Sequence, residues 1–210
     1  MILKLDENNL QEATLWLAER DAALHRVWQQ YGYPPLWARQ PGFSTLVHII
    51  LEQQVSLASA NAAFVRLQAI LGPQPDPEGF LRLDDETLRQ IGFSRQKTSY
   101  SRALAQAVCH NSLDLASLGS MTDDAVRQRL KQLNGIGDWT ADIYLSECLL
   151  RTDILPKGDI AMQEAFRVLK GLPARPVHED FVAQTEHWRP WRSVGTRLLW
   201  HFYLSERRSN

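Results

Sequence analysis

Two glycines stand two residues apart in Leu133-Asn134-Gly135-Ile136-Gly137, between stretches with helical periodicity. Glycine at both places lets the backbone take positive φ and leaves nothing protruding. Amides at the start of the following helix then point outward, where donors and helix dipole together can receive a phosphate oxygen. Such a contact carries no base information, which suits a protein that scans DNA. The same pattern also makes an ordinary tight turn with a glycine cap. A carboxylate, Asp159, follows the break Pro156-Lys157-Gly158 and precedes an apolar-periodic segment, the position of an N-cap. The polar pair Gln53-Gln54 closes an apolar stripe formed by Phe43, Leu46, Val47 and Ile50 at helical spacing. Arg95, Lys97, Arg189 and Arg192 are candidate phosphate contacts and equally ordinary solvated charges. His48 and His110 have no ligand spacing to a cysteine or carboxylate, and Tyr31, Tyr33 and Trp37 read as packing residues.

Bulk properties narrow the field. Of 210 residues, 44% are apolar and 22% charged, which excludes disordered, fibrous and collagen-like chains. Lys+Arg is 23 against Asp+Glu 24, a net charge of -1, so the chain is no polyanion binder by charge alone. The distribution is less even: Arg189, Arg192, Arg197, Arg207 and Arg208 face only Glu206 after His187. No stretch approaches the roughly 18 apolar residues of a membrane span. The start, MILKLDENNL, reads as no signal peptide, and the expected setting is cytoplasmic, near the nucleoid in a bacterium. Two cysteines, Cys109 and Cys148, cannot build a disulfide framework or ligate an iron–sulfur cluster with four thiolates.

The elements that must hold these residues read as helices nearly throughout, because no alternating strand pattern or Asn-Gly hairpin signal appears. Asp84, Ser94 and Thr122 are placed to begin helices, the first ending at Gly92. A helix is expected from about Asp138 to Leu150, and another from Asp159. Proline-rich connectors run through Gly72–Pro77 and Gly171–Pro176. The expected class is all-α.

The segment Leu130–Phe166 resembles the helix-hairpin-helix DNA glycosylase superfamily, and within it the DNA-3-methyladenine glycosylase II family. The hairpin is matched by Leu133 and Gly135-Ile136-Gly137-Asp138-Trp139-Thr140-Ala141, and the later aspartate motif by Pro156-Lys157-Gly158-Asp159. Further matches are Phe43–Leu46, Gln53–Ser56, Ile91–Lys97, Trp188–Ser193 and Trp200, so the similarity runs from about 40 to 203.

That resemblance implies two helical lobes with a cleft between them: 42–160 as the central lobe, with the hairpin at about 124–150, and 1–41 with 161–210 as the other. It implies a DNA repair glycosylase that flips alkylated purines, 3-methyladenine and 7-methylguanine, out of double-stranded DNA and hydrolyses the glycosidic bond. Asp159 would stabilise the sugar cation and activate water. Trp139 and Trp200 would stack on the cationic base. Gln53 and Gln54 would be the wedge that fills the vacated stack, with Gln54 as plug. Gly135, Ile136, Gly137, Asp138, Thr140, Arg95, Lys97 and Arg192 would touch the DNA. A sodium or potassium ion would bind main-chain carbonyls of Lys131, Leu133 and Ile136, with no other cofactor and a monomeric state expected. Bifunctional relatives carry a Schiff-base lysine where this chain has Trp139, which implies no lyase activity. The chain departs from the family at Gly158, often acidic, and at Glu52, commonly small. Another lesion, such as hypoxanthine, uracil or an oxidised purine, is one alternative; a non-catalytic module that binds damaged DNA is the other.

Overall fold

The computed structural model describes residues 3–209, with side chains through Arg207. Met1 and Ile2, where the leader reading begins, the Arg208 side chain counted in the C-terminal charge excess, and Asn210 lie outside the described residues. In chain order the helices are α1 (Glu7–Ala18), α2 (Ala22–Tyr31), α3 (Phe43–Glu52), α4 (Leu57–Leu71), α5 (Pro77–Arg82) and α6 (Asp85–Gln90). Then come α7 (Arg95–Cys109), α8 (Asp123–Lys131), α9 (Asp138–Ile143), α10 (Ile160–Lys170), α11 (His178–Gln184) and α12 (Arg192–Ser209). The class is all-α, and among the described residues β-type pairing is confined to an isolated antiparallel bridge between Lys4 and Arg151.

Local chemistry starts these helices where the sequence places them. Asp84, Ser94, Thr122 and Asp159 each accept a first-turn amide, from Thr87, Lys97, Ala125 and Met162 respectively. Each cap satisfies a donor that the helix itself leaves orphaned. Two expected boundaries move. The helix predicted from Asp138 to Leu150 becomes α9 followed by a π-helical turn, Tyr144–Cys148, and Leu150 then takes positive φ at 54°. The stripe of α3 ends at Glu52, so Gln53 and Gln54 stand beyond the helix rather than on its last turn.

The chain divides into two compact units, Arg39–Tyr144 and Met1–Ala38 with Leu145–Asn210. The expected limit at 160 therefore lies at 144, and Asp159 belongs with the terminal segments rather than with the hairpin's unit. The cause is local to the sequence around 154–155. Ile154 and Leu155 are buried, Leu155 against the apolar side chains of α1, α2, α10 and α12, whereas sequence alone marked only the break at Pro156.

In the unit formed by 39–144, α3 is the buried centre: Leu46, Val47, Ile49 and Ile50 have no exposure. It packs on α4, α7 and α9, while α5 packs on α7. In the other unit α12 packs against α1, α2 and α10. Phe166, Phe181 and Trp188 meet edge to face at 4.9–6.3 Å in its core. Asp21 is the polar hub there. Its buried carboxylate receives Lys170 Nζ at 2.9 Å on both oxygens and Trp188 Nε1 at 3.0 Å. Burial alone would raise this carboxyl, but the Lys170 and Trp188 hydrogen bonds outweigh it and hold it below the ordinary value. Lys170 closes α10, so the hub anchors the far end of the helix that Asp159 begins.

Candidate functional site

Two sets of residues, one in each unit, have the chemistry of a site. In unit 39–144 the hairpin joins α8 to α9 through Gln132–Gly137. Gly135 takes φ 92°, and a Cβ there would stand 2.0 Å from the Tyr100 ring, so this glycine is required by both backbone and packing. Gly137 is different. Its φ of -96° and ψ of -172° suit any residue, and open space surrounds the place of a Cβ. It is also the N-cap of α9 and offers no side chain to the first-turn amides. Nothing inside the protein asks for glycine at 137, and its bare N-cap leaves the first-turn amides of α9 open to an approaching acceptor.

Gln53 and Gln54, expected as the wedge, occupy the loop between α3 and α4. Gln54 is exposed and sits in the left-handed region at φ 58°, uncommon outside glycine, asparagine and aspartate. Gln53, expected to touch DNA, instead turns inward. Its Nε2 donates to the Gly135 carbonyl at 2.9 Å and to the Thr140 hydroxyl at 2.9 Å, so both its donors are used within the protein. Thr140 is accordingly buried and presents no side chain to a ligand.

Other expected contacts are also committed elsewhere. Lys97 donates its ammonium to the Leu51 carbonyl at 2.6 Å, near the end of α3, and burial lowers it below its ordinary value. Asp138 pairs with Lys131 across the hairpin. Arg192 donates Nε to Asp153 at 2.6 Å and Nη2 to the same carboxylate at 3.0 Å, which Arg189 shares at 2.6 Å. These two arginines thus spend part of the C-terminal positive excess on an internal carboxylate. Ile136 is buried, and Arg95 stays exposed at the start of α7.

Glu52, the departure from the family pattern, is buried and accepts Arg39 Nη1 at 2.9 Å. Burial raises its carboxyl, with Arg39 opposing the rise. His48 lies 3.6 Å from the same carboxylate and stacks on Phe64 with ring centroids 4.2 Å apart. Burial, aided by Arg39, pulls His48 down to about 4, so it is neutral at pH 7. His48 and Glu52 stand four residues apart on α3, a spacing that corrects the expectation of no carboxylate within reach of His48; Arg39 and Phe64 join them only through the fold.

In the terminal unit Asp159 is 7% exposed and caps α10, its Oδ1 accepting the Met162 amide at 2.8 Å. Gly158 before it takes φ 80°, where an acidic residue would be strained. Trp200 is half buried against the apolar core of this unit and meets Trp37 edge to face at 6.3 Å. Three residues before it on α12, Arg197 is fully buried, donating to the carbonyls of Leu36, Ser146 and Ser193 and to the Ser146 hydroxyl at 2.8–3.0 Å. Trp139, on α9, is half buried in the other unit.

The carbonyl set expected for a monovalent cation is chemically suited to one, because neutral oxygens are ligands of hard cations. The Leu133 carbonyl accepts only a long bond from the Ile136 amide, 3.2 Å, and keeps a second lone pair. Among the described residues no three His, Cys, Asp or Glu side chains gather as a metal cage, and no helix is long and apolar enough to cross a membrane.

Residues 47–190 match the family described as HhH-GPD superfamily base excision DNA repair protein. The chain is 26% identical to the putative DNA-3-methyladenine glycosylase YfjP of Bacillus subtilis over 92% of its own length and 69% of that protein's. Among solved structures it is similar to 3-methyladenine DNA glycosylase Mag1 of Schizosaccharomyces pombe in complex with abasic DNA. That likeness has a TM-score of 0.85, 27% identity, and 90% and 95% coverage of the two chains. A DNA-3-methyladenine glycosidase from Bacillus halodurans gives a TM-score of 0.76 at 27% identity, over 99% and 94% of the chains.

Proposed function

The chain belongs to the HhH-GPD superfamily of base excision DNA repair proteins, and we propose that it is a monofunctional glycosylase that excises alkylated purines from double-stranded DNA. The observation that carries this reading is Asp159: a buried carboxylate, oriented by its own cap bond, at the place where the superfamily resemblance puts the essential acid.

The amides of the Gly137 turn hold a phosphate of the damaged strand; the Lys131, Leu133 and Ile136 carbonyls would hold a sodium or potassium ion, which would supply positive charge to that contact. Gln54 occupies the gap left by the extruded nucleotide. The flipped purine, cationic after alkylation, stacks on an electron-rich indole face, for which Trp139 and Trp200 are the candidates. The bond from C1′ to the base nitrogen breaks, and its electron pair leaves with the base, which departs neutral. Positive charge then resides on the sugar, where the Asp159 carboxylate stabilises it. Water adds at C1′ and gives up a proton, with Asp159 orienting or accepting it. A base that is already cationic needs no strong general acid to depart. Trp139 has no amine, so no Schiff base forms at that position and an abasic site is left uncut.

Base release from methylated DNA tests the reading. The wild type is expected to free 3-methyladenine and 7-methylguanine, and Asp159→Asn to lose release while melting and binding duplex as before. Duplex binding without any release overturns the alkylpurine assignment and directs the search to hypoxanthine, uracil and oxidised purines.

A further inference from the structure

Three consecutive residues ahead of Gln54 are tied to three different parts of unit 39–144. The Leu51 carbonyl accepts Lys97 Nζ from α7 at 2.6 Å. The Glu52 carboxylate holds Arg39, from the strap leading into α3, at 2.9 Å. The Gln53 amide reaches the hairpin, donating to the Gly135 carbonyl and the Thr140 hydroxyl at 2.9 Å each. Gln54 itself is exposed and in the left-handed region. Its position therefore comes from what holds the residues before it, not from packing of its own side chain.

The third tie differs from the other two. Lys97 and Arg39 fasten the end of α3 to its surroundings, but Gln53 fastens it to the turn that carries Gly135. Gly135 has no side chain of its own to fix its peptide plane, and φ of 92° is a conformation that glycine leaves readily. Gln53 sets the orientation of that carbonyl and, one residue later along its own chain, the start of Gln54. We propose that Gln53 is a positioning residue that fixes the spacing between the phosphate-holding hairpin and the Gln54 plug, so that gripping the backbone and filling the gap occur in one register. This rests on the reading of the hairpin and of Gln54 given above.

Gln53→Met keeps length and volume but removes both donors. The rate of excision is compared on two duplexes in single-turnover conditions: the alkylated purine opposite its normal partner, and opposite an abasic-site analogue, where there is no partner base to part from or to close again on the returning purine. Gln53→Met is expected to slow excision about 10- to 100-fold on the paired duplex, the scale of an ångström of misplacement. On the second duplex it is expected to stay within about twofold, since the chemistry is untouched. Gln54→Ala is expected to show the same split, and the double variant to be no slower than the slower single, because two residues acting through one insertion are not additive.

Equal slowing by Gln53→Met on both duplexes, additive losses in the double variant, or no slowing at all overturns the coupling. Silence of Gln54→Ala on the paired duplex is a different pattern, and it removes the plug reading together with the coupling. Where the wild type excises nothing, fluorescence of 2-aminopurine beside an abasic-site analogue reports insertion by the same variants, and loss of that signal in Gln53→Met remains the expected result.

Discussion

Oδ1 of Asp159 accepts the Met162 amide at 2.8 Å, so the carboxylate assigned to the chemistry is also the one that begins α10. The two duties can be separated by substitution, because asparagine caps a helix about as well as aspartate and alanine does not.

Asp159→Asn is expected to keep stability within a few tenths of a kcal/mol while lowering excision about 100- to 1,000-fold. Asp159→Ala is expected to lose as much activity and, in addition, about 1 kcal/mol of stability. Urea unfolding alongside base release checks both. Equal stability of the two variants would mean the cap bond contributes nothing.

The two hairpin glycines should separate fold from contact. Gly135→Ala forces a positive φ on alanine and a Cβ into the Tyr100 ring, and is expected to cost about 2–5 kcal/mol. Gly137→Ala meets neither obstacle, so its melting curve is expected to stay close to wild type while duplex affinity falls. Unchanged affinity in a folded Gly137→Ala protein would show that nothing approaches that backbone.

His48 gives the protein an acid limit. Its folded value of about 4 lies below the ordinary 6.5, so the stability it contributes is complete above pH 6.5 and is lost as pH falls toward 4. The loss between pH 7 and pH 4.5 is expected to be about 2 kcal/mol. His48→Gln should flatten that part of the urea-midpoint profile; an unchanged slope would place the acid sensitivity elsewhere, with Asp21 the next carboxylate to examine.

Asp21 should be the costliest polar residue in the terminal unit. Asp21→Ala removes a helix cap and leaves Lys170 and Trp188 without their acceptor, for an expected loss of about 3–5 kcal/mol in urea unfolding. A loss below about 1 kcal/mol would show that solvent replaces the carboxylate there.

Borohydride added during turnover is expected to trap no protein–DNA adduct, because residue 139 carries an indole rather than an amine. Trapping by the wild type would reveal a different amine and overturn the monofunctional assignment.

Caps were legible because their chemistry is local: Asp84, Ser94, Thr122 and Asp159 each act within three residues of themselves. The all-α class followed from periodicity and the tight turn at Gly135–Gly137 from glycine spacing in the same way, whereas its reading as a DNA-binding hairpin came from the family resemblance. The internal partners of Gln53, Lys97 and Arg192 were not legible, because they lie 82 to 87, 46 and 39 residues away and only the fold brings them together. The shortened α3 has the same origin. Its stripe continues in sequence to Gln54, but Lys97 takes the Leu51 carbonyl and Gln53 is drawn onto the hairpin. The π-helical turn leaves no mark in composition, since apolar periodicity over five residues does not distinguish it from an α-helical one.

The unit holding Asp159 is built from both ends of the chain, whereas the hairpin's unit is one continuous stretch, 39–144. A growing chain leaves the ribosome from its N-terminus, so the hairpin, its Gln53 tie and the α3 core are all synthesised before any of α10–α12 exists. The first two helices can pack on each other, but the core they share with α12 must wait for that helix to arrive. During that interval the apolar faces of α1 and α2 that meet α12 are open to aggregation and to chaperones. Folding of the half that bears Asp159 is thus completed last.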